Sequence, residues 1–74
     1  MFKVTITYCV PCGYEKRARL AASALQQQLG IEPELVPGKG GVFRVEVGGR
    51  TVASRAPRYF PNPDEIVTSV RAAM

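Results

Sequence analysis

The hydrophobic repeat of this chain changes period across seven residues, Tyr8-Cys9-Val10-Pro11-Cys12-Gly13-Tyr14, and that change restricts the fold more than any other feature. Before it, Phe2, Val4, Ile6 and Tyr8 alternate with Lys3, Thr5 and Thr7, the period of a strand with one buried and one wetter face. After it, Tyr14, Ala18, Ala21, Ala22, Leu25 and Leu29 recur at spacings of three and four, which predicts a helix over 14–29. Glu15 and Arg19 form an i,i+4 pair on its outer side. Gly30 supplies a left-handed C-cap, and Pro33 prevents continuation.

The following segments are shorter. Glu34–Val36 reads as a strand whose length is limited by Pro33 and Pro37. Gly38-Lys39-Gly40-Gly41 is a flexible loop able to bring backbone close to a neighbour; it lacks the spacing of a P-loop or dinucleotide fingerprint and reads as a turn, not an anion cradle. Val42–Val47 alternates again, and Gly48-Gly49 predicts a tight hairpin that folds Thr51–Ser54 back antiparallel. Arg55–Pro61 is irregular, and its Tyr59 and Phe60 are expected to close an edge of the core. At Asn62-Pro63-Asp64-Glu65 a helix opens, with Asn62 as cap, Pro63 at the first helical position and Glu65 completing a capping box. Ile66, Val67, Val70 and Ala73 form its apolar stripe, and no strand is expected after it.

The element order is thus βαβββα. Right-handed crossover makes the first two strands parallel neighbours, and the hairpin adds two more. Because one face of the first strand is polar, both helices are expected on the same side of a four-stranded mixed sheet, an α+β two-layer sandwich. A chain of 74 residues allows one domain, 1–74. The reactive turn then lies at the carboxyl edge of a strand, where open α/β sheets place reactive groups.

Both cysteines of the protein, Cys9 and Cys12, stand in that turn, and histidine is absent. This excludes Ser/His and Cys/His catalysis within one chain and leaves the thiols as the obvious nucleophiles. Cys-x-x-Cys at a strand-to-helix transition reads as a redox pair, with half a zinc site or two core thiols as the other readings. The balance is 10 Lys and Arg against 6 Asp and Glu, a net charge of +4. The basic residues are scattered, and the cluster Lys16-Arg17-Ala18-Arg19 reads as a solvated helix face and not as a nucleic-acid patch. No membrane span or leader pattern is present, so a cytoplasmic setting is expected, in which the pairing of two cysteines is transient.

Four segments in order carry a resemblance: Tyr8-Cys9-Val10-Pro11-Cys12-Gly13-Tyr14 with Arg17; Gly40-Gly41-Val42-Phe43-Arg44-Val45; Ser54-Arg55; and Phe60-Pro61 with Asp64, Glu65 and Ile66. Across Val4 to Ile66 the chain resembles the selenoprotein W-like family (Rdx; SelT/SelW/SelH), whose fold is a minimal thioredoxin-like one. The resemblance implies a small redox protein of undefined physiological substrate, a possible thiol-disulfide oxidoreductase. It places the family's selenocysteine at Cys12 and makes this chain a sulfur homologue. Cys9 and Cys12 are then the catalytic pair, with Pro11, Gly13, Tyr14, Arg17, Gly40, Gly41 and Phe60 as substrate-binding or thiolate-supporting residues. Partners are expected to be thiol or disulfide proteins or glutathione, with no cofactor and no metal, the chain acting as a monomer or weak homodimer. Compared with thioredoxins proper, it lacks the Trp before the pair and a proline directly before the Val42 strand. The order of attack stays open: thioredoxin geometry exposes the first cysteine, whereas the family marks the second. The alternative functions are a copper(I)-binding module, disfavoured by Thr7 in place of a methionine and by the missing last strand, or an interaction adaptor using Tyr59, Phe60 or the open sheet face.

Overall fold

The computed structural model describes residues 3–56 and 58–74; Phe2, at the start of the expected first strand, and Pro57 lie outside them. The elements are β1 (Val4–Cys9), α1 (Glu15–Leu29), β2 (Glu34–Gly38), β3 (Phe43–Val47), β4 (Arg50–Ser54) and α2 (Pro63–Ala73). They make one four-stranded sheet in the order β2-β1-β3-β4. β1 runs parallel to β2 and antiparallel to β3, and β3 runs antiparallel to β4. This is the expected mixed sheet and element order.

Alternation in β1 and β3 sends Val4, Ile6, Val45 and Val47 to one face, where they meet Ala18, Ala21 and Leu25 of α1 and Ile66, Val67 and Val70 of α2. Both helices therefore cover the same side, and α1 packs on α2 as well as on β1. The other side carries Thr5 opposite Glu46 and Thr7 opposite Arg44, a polar face left uncovered. Leu25 is fully buried in this core, and its truncation to alanine is worth about 3 kcal/mol of stability.

Several local signals act as read. Gly48 and Gly49 both take positive φ, 59° and 84°, as a two-residue turn compatible with strand twist requires. Gly30 caps α1 in the left-handed region, donating to the Gln26 and Leu25 carbonyls. Asn62 and Glu65 form both halves of the capping box.

Two readings need correction. Pro37 does not end β2, which runs on to Gly38. β2 is an edge strand, and there the missing proline N–H faces away from the ladder and costs no hydrogen bond. Of the two aromatics expected to close the core edge, only Phe60 packs on the core. Tyr59 is 48% exposed, and its hydroxyl donates to the Glu65 carboxylate. Two smaller differences are that β4 begins one residue earlier, at Arg50, and that a register shift separates Val45 and Glu46 in the β3–β4 pairing. Among the described residues, no helix is long and apolar enough to cross a membrane.

Candidate functional site

β1 delivers Cys9 at its carboxyl end and α1 starts at Glu15, so the intervening chain must reverse within a few residues. It does so with two backbone bonds: Gly13 N–H donates to the Val10 carbonyl at 3.1 Å, and Tyr14 N–H donates to the Cys9 carbonyl at 3.2 Å. Gly13 takes φ 78°, a conformation that L side chains rarely adopt. Pro11, with its φ fixed by the ring, lies exposed at the apex beside exposed Val10. The turn brings the Cα atoms of Cys9 and Cys12 to 5.3 Å, and a disulfide joins the two residues.

The two sulfurs have unlike surroundings. Cys9 is completely buried, whereas Cys12 is exposed. This inverts the thioredoxin arrangement, in which the first cysteine faces solvent. Cys12 also lies three residues before the first helical residue of α1, whose N-cap, Tyr14, makes no side-chain capping bond. The partial positive charge of an unclosed helix start favours a thiolate over a thiol.

Cys9 and Val10 are held from the other side by the end of β2 and the residue just before β3. The N–H of Cys9 donates to the Val42 carbonyl at 2.7 Å, and the N–H of Val10 donates to the Gly38 carbonyl at 3.1 Å. Gly38, read from the sequence as the first residue of the loop, is instead the last residue of β2, and the close backbone contacts to the turn come from Gly38 and Val42, the two residues that bracket Lys39-Gly40-Gly41. A Cβ at Gly38 would stand 2.9 Å from Val42 Cγ1 and 3.3 Å from Thr7 Cγ2, so the close approach depends on glycine there. Gly40 and Gly41 complete the loop with φ of 76° and 78°, and the Gly41 carbonyl accepts from Arg55 Nη1 at 3.0 Å.

Tyr14, Phe43 and Phe60 form an aromatic cluster at the end of the turn. Ring centroids lie 5.1 Å apart for Tyr14 and Phe60, and 4.7 Å apart for Phe43 and Phe60. Arg17 places its guanidinium 4.1 Å over the Phe60 ring, and Arg55 stands 5.9 Å from the Tyr14 ring. Arg19 instead pairs with Glu15 at 2.6 Å on the exposed helix side. Of the residues read as supporting, Pro11, Gly13 and Tyr14 belong to the turn itself. Arg17 and Phe60 are joined to it through Tyr14, and Gly41 through Arg55.

The sequence reading gave Gly38, Val42 and Arg55 no place among the site residues, although Gly38 stood in the expected loop and Val42 and Arg55 in the segments that carry the resemblance. Gly38 was marked as part of the glycine-rich loop, but Val42 acts through its carbonyl, which no side-chain pattern announces. Arg55 belongs to the Ser54-Arg55 match, but neither its charge nor its position in the sequence says which groups it meets.

A family model described as the Rdx family matches residues 3–72. The chain is 34% identical over 73 residues to migration and invasion enhancer 1 of Bos taurus and 33% identical over 72 residues to that of Mus musculus. These matches take in 96% and 95% of this chain but 64% and 63% of those proteins, so the chain spans less than two thirds of their length. A crystal structure of a Bordetella parapertussis protein superposes with a TM-score of 0.87 at 31% identity, over 99% of this chain and 98% of that one. A selenoprotein W-related protein from Vibrio cholerae shares the fold, with a TM-score of 0.85 at 24% identity over 97% and 95% of the two chains.

Proposed function

The chain belongs to the Rdx family, and on that premise we propose that it is a small thiol-disulfide redox protein working through Cys9 and Cys12. The observation that carries the reading is the closed pair with one sulfur exposed and the other buried. A partner can meet only the exposed member, and the buried member is already within bonding reach to resolve the product.

In the reduced protein, the Cys12 thiolate attacks one sulfur of a partner disulfide. An S–S bond to Cys12 forms, the partner's own S–S bond breaks, and one partner thiolate leaves. The Cys9 thiolate then attacks the Cys12 sulfur, closing the intramolecular disulfide and releasing the second partner thiolate. Two electrons have passed to the partner, and the reverse sequence oxidises a dithiol. Val10 and Pro11 are exposed in the same turn as Cys12, and exposed Arg17 in the first turn of α1 suits a partner that carries a carboxylate, such as a cysteine-bearing protein or glutathione. A reducing, cytoplasmic setting suits a pair that cycles, and the polar open sheet face suits a monomer.

Trapping tests the assignment. Cys9→Ser protein, which keeps the attacking sulfur but cannot resolve, should accumulate mixed disulfides with partner proteins or glutathione, while Cys12→Ser protein should accumulate few. Equal trapping by both variants would remove the assignment of Cys12. Tight copper(I) binding by a pair with no measurable thiol-disulfide equilibrium would replace the redox reading altogether.

A further inference from the structure

We infer that Arg55 is a positioning residue for the Cys9–Cys12 couple, acting through the Gly38–Val42 loop that holds the backbone of the buried cysteine. The inference rests on the redox reading above and adds to it a residue outside the reactive turn.

The N–H of Cys9 donates to the Val42 carbonyl and that of Val10 to the Gly38 carbonyl, so the turn is tied to the residues at either end of this loop, Gly38 where β2 ends and Val42 just before β3. The loop must therefore be fixed if the Cys9 sulfur is to stay beneath Cys12. Its own sequence, Gly38-Lys39-Gly40-Gly41, is poorly suited to that, because glycine loses more conformational freedom on ordering than any other residue. Arg55 supplies an outside tie. Its backbone N–H donates to the Phe43 carbonyl at 3.0 Å, anchoring it where β3 begins, and its Nη1 donates to the Gly41 carbonyl at 3.0 Å. A Cβ on Gly41 would come 3.3 Å from that same Nη1, so the guanidinium lies directly against the glycine. The guanidinium also faces the Tyr14 ring at 5.9 Å, and the Tyr14 N–H donates to the Cys9 carbonyl. The contacts close a circuit, from Cys9 to Val42, along the loop to Gly41, across Arg55 to Tyr14 and back to Cys9.

The circuit acts on an equilibrium whose balance is simple. The two thiols lose two electrons and two protons to an oxidised glutathione molecule; its S–S bond breaks, the Cys9–Cys12 bond forms, and two reduced glutathione molecules leave. The equilibrium constant rises with the effective concentration of one thiol at the other, which a fixed loop raises and a loose one lowers. Removing the tie therefore favours the dithiol.

The experiment brings wild type, Arg55→Met and Arg55→Lys to equilibrium in glutathione redox buffers, with amide hydrogen exchange measured on the same samples. Arg55→Met is expected to shift the equilibrium about tenfold toward the dithiol, a rise in reduction potential of about 30 mV. Arg55→Lys keeps one donor but loses the planar fork, and its shift should be about threefold. Exchange at Cys9 and Val10 should quicken in Arg55→Met while Ile6, in the middle of β1, keeps its protection. A wild-type equilibrium constant in folded Arg55→Met overturns the proposal, even if its melting temperature falls, because that outcome describes a merely structural arginine. If Arg55→Met does not fold, an Arg55→Lys constant equal to wild type overturns it. If wild type itself never equilibrates with glutathione, the redox reading fails separately, and unchanged exchange at Cys9 and Val10 in the variants then overturns the tie as well.

Discussion

α1 and α2 are entered on either side of the same aromatic cluster, yet one start is left open and the other is fully closed. At α1 the N-cap is Tyr14, whose side chain goes to the Phe43 and Phe60 rings and makes no capping bond. At α2, Asn62 accepts from the Glu65 N–H at 2.8 Å, Glu65 accepts from the Asn62 N–H at 3.1 Å, Pro63 needs no partner, and Tyr59 donates to the remaining carboxylate oxygen. A side-chain cap is worth about 1 kcal/mol, so the open start gives up stability that the closed one keeps. The open start is the one next to exposed Cys12, where uncompensated N–H groups favour a thiolate. Local stability and sulfur reactivity thus draw on the same backbone groups, and this chain assigns one helix to each.

The largest expected effect concerns the open end. In the reduced protein, iodoacetamide should label Cys12 at least about tenfold faster than Cys9, read by peptide mapping, since exposure and thiolate character both favour it. Equal rates would mean that the open helix start and the exposure of Cys12 do not govern reactivity. Next comes Phe60→Ala, which removes a half-buried ring shared by both helix starts and should cost about 2 kcal/mol in denaturant unfolding. A loss confined to a few tenths would separate the two ends. Asn62→Ala should cost about 1 kcal/mol while leaving the glutathione equilibrium unchanged; a shift in that equilibrium would couple the closed end to the sulfurs.

The smallest effect is one of pH. Donation from the Tyr59 hydroxyl, and then from the Asn62 N–H, holds the Glu65 carboxyl below its ordinary value of 4.5. The same Tyr59–Glu65 bond raises the Tyr59 phenol above its ordinary value. Since the folded value for Glu65 lies below the unfolded one, its contribution is complete above the unfolded value and declines as pH falls through the folded one. Thermal melting of Glu65→Gln should accordingly lose less on acidification from about pH 6 to about pH 3 than wild type does. Parallel curves would show that the carboxylate adds nothing to the closure.

What could be read from the sequence was what neighbouring residues settle among themselves. Gly48-Gly49, Gly30 and the Asn62–Glu65 box each act within a few positions, so the hairpin, the end of α1 and the start of α2 were all legible, and with them the element order. The edge position of β2 was not, because whether Pro37 ends a strand depends on which of its sides has a neighbour. Cys9 and Cys12 stood out as a pair, but which of them is buried was not legible, because the end of β1 is held by backbone bonds to Gly38 and Val42, nearly thirty residues or more from Cys9. The role of Arg55, though the residue stood in the matching Ser54-Arg55 segment, was not legible for the same reason: its partners, Gly41, Phe43 and Tyr14, come together only after the sheet has formed. Tyr59 and Phe60 show the limit in miniature, since two adjacent aromatics point to opposite fates and composition treats them alike.

Pro37 has a further consequence for how the molecule meets others of its kind. An unpaired strand edge is a template on which a foreign strand can add, extending the sheet from one chain to the next. The Gly38 carbonyl faces β1, so Pro37 turns its nitrogen outward, to the place where an incoming strand would seek a donor. At the opposite edge, Val45 pairs with Ala53 but Glu46 with Thr51, so β4 carries an extra residue, Val52, that interrupts the even spacing an added strand would have to match. The sheet is thereby blunted against end-to-end growth on both sides, by a missing donor on one and an interrupted ladder on the other.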